Sequence, residues 1–98
     1  MSKYKIRMEG KNFLLNLEGI TQKYGFFTTR YIEANNPEEA ELKAVQLIRE
    51  DSEISESIKN PQSDPPMIYL NTLDELASFE GVDVPGAGYS FYPDDGSE

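Results

Sequence analysis

The sequence predicts a two-layer α+β domain, an antiparallel sheet of three to five strands packed against one main helix, with a short second helix. Three observations carry this prediction. Residues 3–17 alternate apolar and polar side chains with the period of a strand. Residues 26–34 are rich in strand-favouring aromatic and β-branched types, though neither face is cleanly apolar, and residues 37–51 gather their apolar side chains with the period of a helix. The first strands also follow one another closely enough for hairpin connections, which favours an antiparallel sheet with the helix on one face.

Tyr4, Ile6 and Met8 alternate with Lys3, Lys5 and Arg7, so residues 3–9 read as a strand with one buried face and one wet, basic face. Gly10-Lys11-Asn12 interrupts the alternation, and Phe13, Leu15 and Leu17 resume it. The interruption fits either a hairpin turn or a bulge in one long bent strand. A loop is expected to open at Glu18-Gly19 and close at Tyr24-Gly25. Residues 26–34, rich in aromatic and β-branched types, form the best strand, with Phe27, Thr29, Tyr31 and Glu33 on one side and Phe26, Thr28, Arg30, Ile32 and Ala34 on the other.

Asn36 is placed to cap a helix, Pro37 suits its first position, and Glu38 and Glu39 face the positive end of its dipole. Ala40, Ala44, Val45, Leu47 and Ile48 then share one face. The helix is expected from Pro37 to about Asp51, with extension through Ile54 and Ile58 open. Residues 59–66 are a proline-marked loop, and Met67–Leu70 a short strand. Thr72-Leu73-Asp74-Glu75 fits a capping box and predicts a short helix with Leu73 and Leu76 inward. A glycine-rich loop over 81–88 leads to an edge strand, Tyr89–Tyr92. The expected domain is thus residues 1–92, followed by an acidic tail over 93–98.

The chain has 98 residues, enough for one domain, and a net charge of −9 that is unevenly spread. Residues 1–32 hold six basic residues against Glu9 and Glu18, a balance of +4, whereas residues 33–98 hold three against sixteen acids, a balance of −13. Overall acidity repels phosphate, so nucleic acid is not an expected partner. The apolar runs are too short to cross a membrane. Met1–Arg7 does not lead into the apolar run of a secretory leader, and the expected location is the cytoplasm.

Cysteine and histidine are both absent. That removes a disulfide framework, thiolate and histidine-based nucleophilic chemistry, and the usual zinc ligands. Asp94-Asp95-Gly96-Ser97-Glu98 is too short for a calcium loop. Gly86-Ala87-Gly88 resembles the start of a phosphate-binding glycine pattern, but strand-like residues follow it where a helix is needed. No catalytic residue, metal or cofactor is expected.

The aromatic residues carry the remaining signal. Phe26 and Phe27 cannot share a face of one strand, nor can Phe91 and Tyr92, so one of each pair lies away from the core. The expected arrangement covers them with the short second helix and the C-terminal segment; the functional alternative is a binding surface of Tyr24, Phe26, Thr28, Arg30, Tyr89 and Tyr92. Arg30 is expected to pair with Glu9, Glu18 or Glu33 across strands, with receipt of an anionic ligand group as the alternative.

Residues 24–30 (Tyr-Gly-Phe-Phe-Thr-Thr-Arg) and 33–40 (Glu-Ala-Asn-Asn-Pro-Glu-Glu-Ala) resemble small bacterial proteins grouped as a domain of unknown function. The resemblance implies no particular activity. The element order is similar, at fold level only, to antitoxins of the HicB type, from which the second capped helix and long C-terminal loops depart. The leading functional expectation is a non-enzymatic acidic protein-interaction module, one that could neutralise a basic protein partner. The alternatives are small-molecule or peptide binding around Arg30, and weak nucleic-acid binding through Lys3, Lys5 and Arg7. The expected state is a monomer, or a weak homodimer through the edge of Tyr89–Tyr92.

Overall fold

Two long strands dominate the molecule. In a computed structural model, which describes residues 1–94, β1 (Ser2–Leu17) and β2 (Ile20–Ala34) form one antiparallel hairpin. Its loop is only Glu18-Gly19, both with positive φ (53° and 83°), the backbone that matches strand twist in a two-residue turn. The longer loop expected over residues 18–25 is therefore corrected. Residues 20–23 are strand, paired with Leu14–Leu17, but all four are exposed. Leu15 on the β1 side of the tip is buried beside Ile58, whereas residues 20–23 of β2 bury nothing, so burial imposes no alternation on them.

Gly10-Lys11-Asn12 is a bulge. The register slips by one residue between Gly10 and Phe13, and Asn12 adopts φ 61°, a conformation that asparagine tolerates better than most residues. Gly10 is required for packing, since a Cβ there would collide with the Phe26 and Phe13 rings.

α1 (Pro37–Glu50) starts as expected, with Asn36 Oδ1 accepting from the Glu39 N–H at 2.8 Å. It stops at Asp51, whose extended backbone (ψ 123°) both closes α1 and caps α2 (Ser52–Ser55). The short second helix is therefore here. Ile54 remains buried because the chain turns there to keep it over the core.

The helix expected from Thr72 is a correction: those residues belong to β3 (Met67–Leu76), paired antiparallel with Lys3–Lys11 of β1. A capping box stabilises one helical turn locally, whereas strand pairing satisfies a whole row of β1 N–H and C=O groups. β4 (Ser90–Pro93) adds to the other side of β2, giving the order β3-β1-β2-β4, all antiparallel. The fold is the expected two-layer α+β arrangement. Asp94 continues beside β2, its N–H donating to Lys23 O at 2.9 Å. The remainder of the expected tail lies outside the described residues.

One face of the sheet makes the core. Tyr4, Ile6, Met8, Phe13 and Leu15 of β1 and Phe26 and Ile32 of β2 pack under Ala40, Ala44 and Ile48 of α1. The opposite face has no helix. Residues 77–89 form a strap that leaves β3 and crosses that face. On the way the Phe79 ring meets Tyr31 edge-on at 6.2 Å, and Pro85 O accepts from the Tyr31 N–H at 2.9 Å.

Candidate functional site

Phe26, Thr28 and Arg30 point to the helix-bearing face, because β2 alternates and its even positions sit opposite the buried positions of β1. Phe26 is fully buried, and Thr28 and Arg30 are 5% and 2% exposed. The expected partners of Arg30, Glu9, Glu18 and Glu33, are corrected to Asp51: the first two lie elsewhere along the hairpin, and Glu33 occupies the opposite face of β2 from Arg30.

The surroundings of Arg30 explain why a buried cation is tolerated. Its Nη1 donates to Thr29 O at 2.9 Å and to Thr28 Oγ1, and its Nη2 lies 3.9 Å from Asp51 Oδ2. The guanidinium carbon stands 5.1 Å from the Tyr89 ring centre, within cation–π range. Tyr89 in turn donates to Asp51 Oδ2 at 2.7 Å, and Thr28 donates to Gly88 O at 2.7 Å. Burial first, and then the Asp51 carboxylate, raise the Tyr89 phenol above its ordinary value. Arg30 also lies near the negative end of the α1 dipole. The cluster pins the strap and the end of α1 to the sheet. It is a structural joint with its cation already satisfied.

The open face is built differently. Odd positions of β2 and the basic side of β1 converge there, so Arg7 stands beside Thr29, its Cα partner, and near Phe27. Under the strap these side chains line a cleft of about 540 Å³, with Tyr31 beside them and Asp83, Gly86 and Gly88 opposite. The Arg7 guanidinium carbon lies 5.0 Å from the Phe27 ring centre. Arg7 is exposed and forms no salt bridge among the described residues.

Phe27 is fixed from its other neighbour by Tyr92, with ring centres 5.5 Å apart. Tyr92 reaches β1 by lying across Gly25, where a Cβ would strike its ring, and donates to Glu9 Oε2. Burial, then this hydrogen bond, push the Tyr92 phenol up to about 12. The strap is shaped by positive φ at Gly86 (91°) and Gly88 (89°), and a Cβ on Gly86 would meet Thr29 O at 3.0 Å.

Of the six residues proposed as a binding surface, Thr28 and Tyr89 also border this cleft, Tyr92 braces it from the same side, and Tyr24, Phe26 and Arg30 lie away from it. Arg7, Phe27, Thr29 and Tyr31 were absent from that group. Their signal was present in the alternation of residues 3–9 and 26–34, which sorts them onto one face. What residues 26–34 lack is a cleanly apolar face to show which side of β2 the helix takes.

Among the described residues no group of three or more carboxylates could hold a metal ion, and no helix is long and apolar enough to cross a membrane. Comparison with protein-family models, curated proteins and solved structures returned no match.

Proposed function

We propose that the protein is a non-catalytic binding module whose ligand is a small monocarboxylate with a flat apolar body, held in the cleft beneath the strap. The observation that carries this reading is Arg7, an exposed guanidinium on an aromatic platform with no salt-bridge partner among the described residues. With its carbon 5.0 Å from the Phe27 ring centre, the Arg7 guanidinium is placed to stack on the ring, an arrangement that keeps its N–H edge for a carboxylate fork. Phe27 and Tyr31 offer apolar surface to the rest of the ligand, and Thr29 offers a hydroxyl beside the arginine. A single cation, with Asp83 across the cleft and a net charge of −9, favours a monoanion over a phosphate dianion.

Titration of the isotope-labelled protein with benzoate, followed by amide chemical shifts, tests this reading. The expected result is saturable movement at Arg7, Phe27, Thr29 and Gly86–Gly88, weakened about tenfold or more by Arg7→Met. Lys5→Met, outside the cleft lining, is expected to leave the titration unchanged. Inorganic phosphate shifting the same amides as strongly, or benzoate shifting none of them, would overturn the assignment.

A second reading, an acidic surface for a basic protein partner, is favoured by Glu38, Glu50, Glu53 and Glu56. These are exposed on or beside the helical layer and have no ion pair among the described residues. A short polylysine probe distinguishes the two. Shifts confined to α1 and α2 that vanish with salt support the acidic surface.

A further inference from the structure

We propose that the chain pairs with a second copy of itself through the free edge of β3, joining two sheets into one. β3 ends the sheet order, so one side of its ten residues carries no strand, whereas β4 at the other end spans four residues and includes Pro93. Exposed apolar side chains gather at this edge: Met67, Tyr69 and Leu70 are 48%, 47% and 40% exposed.

The pattern along β3 is self-complementary, and its bulge is the reason. An antiparallel pair related by a two-fold axis keeps each sheet face continuous, so residues directly opposite must share a face. In a regular strand this restricts the axis to pass through a residue. β3, however, shifts register against β1 where Thr72 pairs with Arg7 and Leu70 with Met8, leaving Asn71 as the extra residue. The shift brings Leu70 and Leu73 to the helix-bearing face together, with Ile68 and Glu75 beyond them; Met67, Tyr69, Asp74 and Leu76 share the other face.

An axis between Asn71 and Thr72 then sets Leu70 against Leu73, Tyr69 against Asp74 and Ile68 against Glu75, every pair on matching faces. No acid opposes an acid. Ile68 also borders an apolar crevice of about 340 Å³ that Arg49 lines. Arg49 has no salt bridge among the described residues, so the second copy's Glu75 arrives beside an available cation. Each copy carries a net charge of −9, so the dimer is expected to tighten as salt screens the repulsion.

Sedimentation equilibrium over a concentration series at low and high salt is the test. The expected result is a monomer–dimer equilibrium with an association constant that rises with salt. Leu70→Lys, at a site already partly exposed, is expected to weaken association about tenfold or more. Leu42→Lys, on the exposed side of α1, is expected to leave it unchanged. Because the chain lacks cysteine, a Leu70→Cys/Leu73→Cys double variant adds a second readout, an inter-chain disulfide under mild oxidation. A monomer mass under every condition, a dimer that survives Leu70→Lys, or a folded double variant that forms no inter-chain disulfide overturns the proposal.

Discussion

Asp51 serves four neighbours at once. Its backbone N–H closes α1 on Ile48 O at 3.2 Å, its Oδ1 accepts from the Glu53 N–H at 3.0 Å, and its Oδ2 takes the Tyr89 hydroxyl and faces Arg30. Asp51→Ala is expected to cost about 2 kcal/mol or more, because it removes a cap and leaves a buried arginine without its counter-charge. Asp51→Asn, which keeps an acceptor oxygen, is expected to cost less. A urea midpoint unmoved by Asp51→Ala would show that Arg30 is satisfied by oxygens alone. The two raised tyrosines set a limit at high pH. Unfolded tyrosines lose their protons near pH 10, while Tyr89 and Tyr92 hold theirs to higher pH when folded, Tyr92 to about 12. The folded state then binds more protons than the unfolded one, so this contribution is complete below about pH 10 and is lost as pH rises. Stability measured between about pH 9 and 12 is expected to fall, less steeply for Tyr92→Phe. An identical slope in that variant would remove Tyr92 from the account.

Elements differ in how locally they are encoded. α1 begins where Asn36-Pro37-Glu38-Glu39 places it, since capping acts within one turn and needs no tertiary partner. Asn36→Ala is expected to destabilise the protein by about 0.5–2 kcal/mol, read as a lowered denaturation midpoint. No change would mean that the Glu39 side chain, which accepts from the Asn35 N–H at 2.8 Å, holds the helix start without it. Thr72–Glu75 carries a comparable local signal and becomes strand. The difference lies in what each segment meets. β1 presents open hydrogen-bonding groups from Lys3 to Arg7, and the candidate helix is too short to compete with that ladder. At residues 20–23 the strand was hidden for another reason, because all four side chains are exposed and polarity carries no period there.

At the scale of the whole molecule, the proposed site follows from covering one sheet face with a helix and the other with a strap. Two aromatic pairs divide between these faces: Phe26 and Phe91 go to the core, with ring centres 6.0 Å apart, and Phe27 and Tyr92 go to the open side. Of the two arginines in the hairpin, the one beside the aromatic run, Arg30, is enclosed as a structural joint. Arg7, part of what reads in sequence as an ordinary wet strand face, is left at the cleft. The strap makes this difference, for without it Arg7 and Phe27 would lie on a flat surface.

Sequence alone determined the class of the fold, the start of α1, the two faces of β1 and β2, and the absence of thiol and imidazole chemistry. These follow from local periodicity, from capping within one turn, and from which residue types are present. Tertiary structure decided that Gly10 opens a bulge, that residues 72–76 pair with β1, that α1 does not continue through Ile54 and Ile58, and which face of β2 the helix covers. Each of those depends on groups distant in the chain competing for the same hydrogen bonds or the same buried surface, and no local pattern records the outcome of that competition.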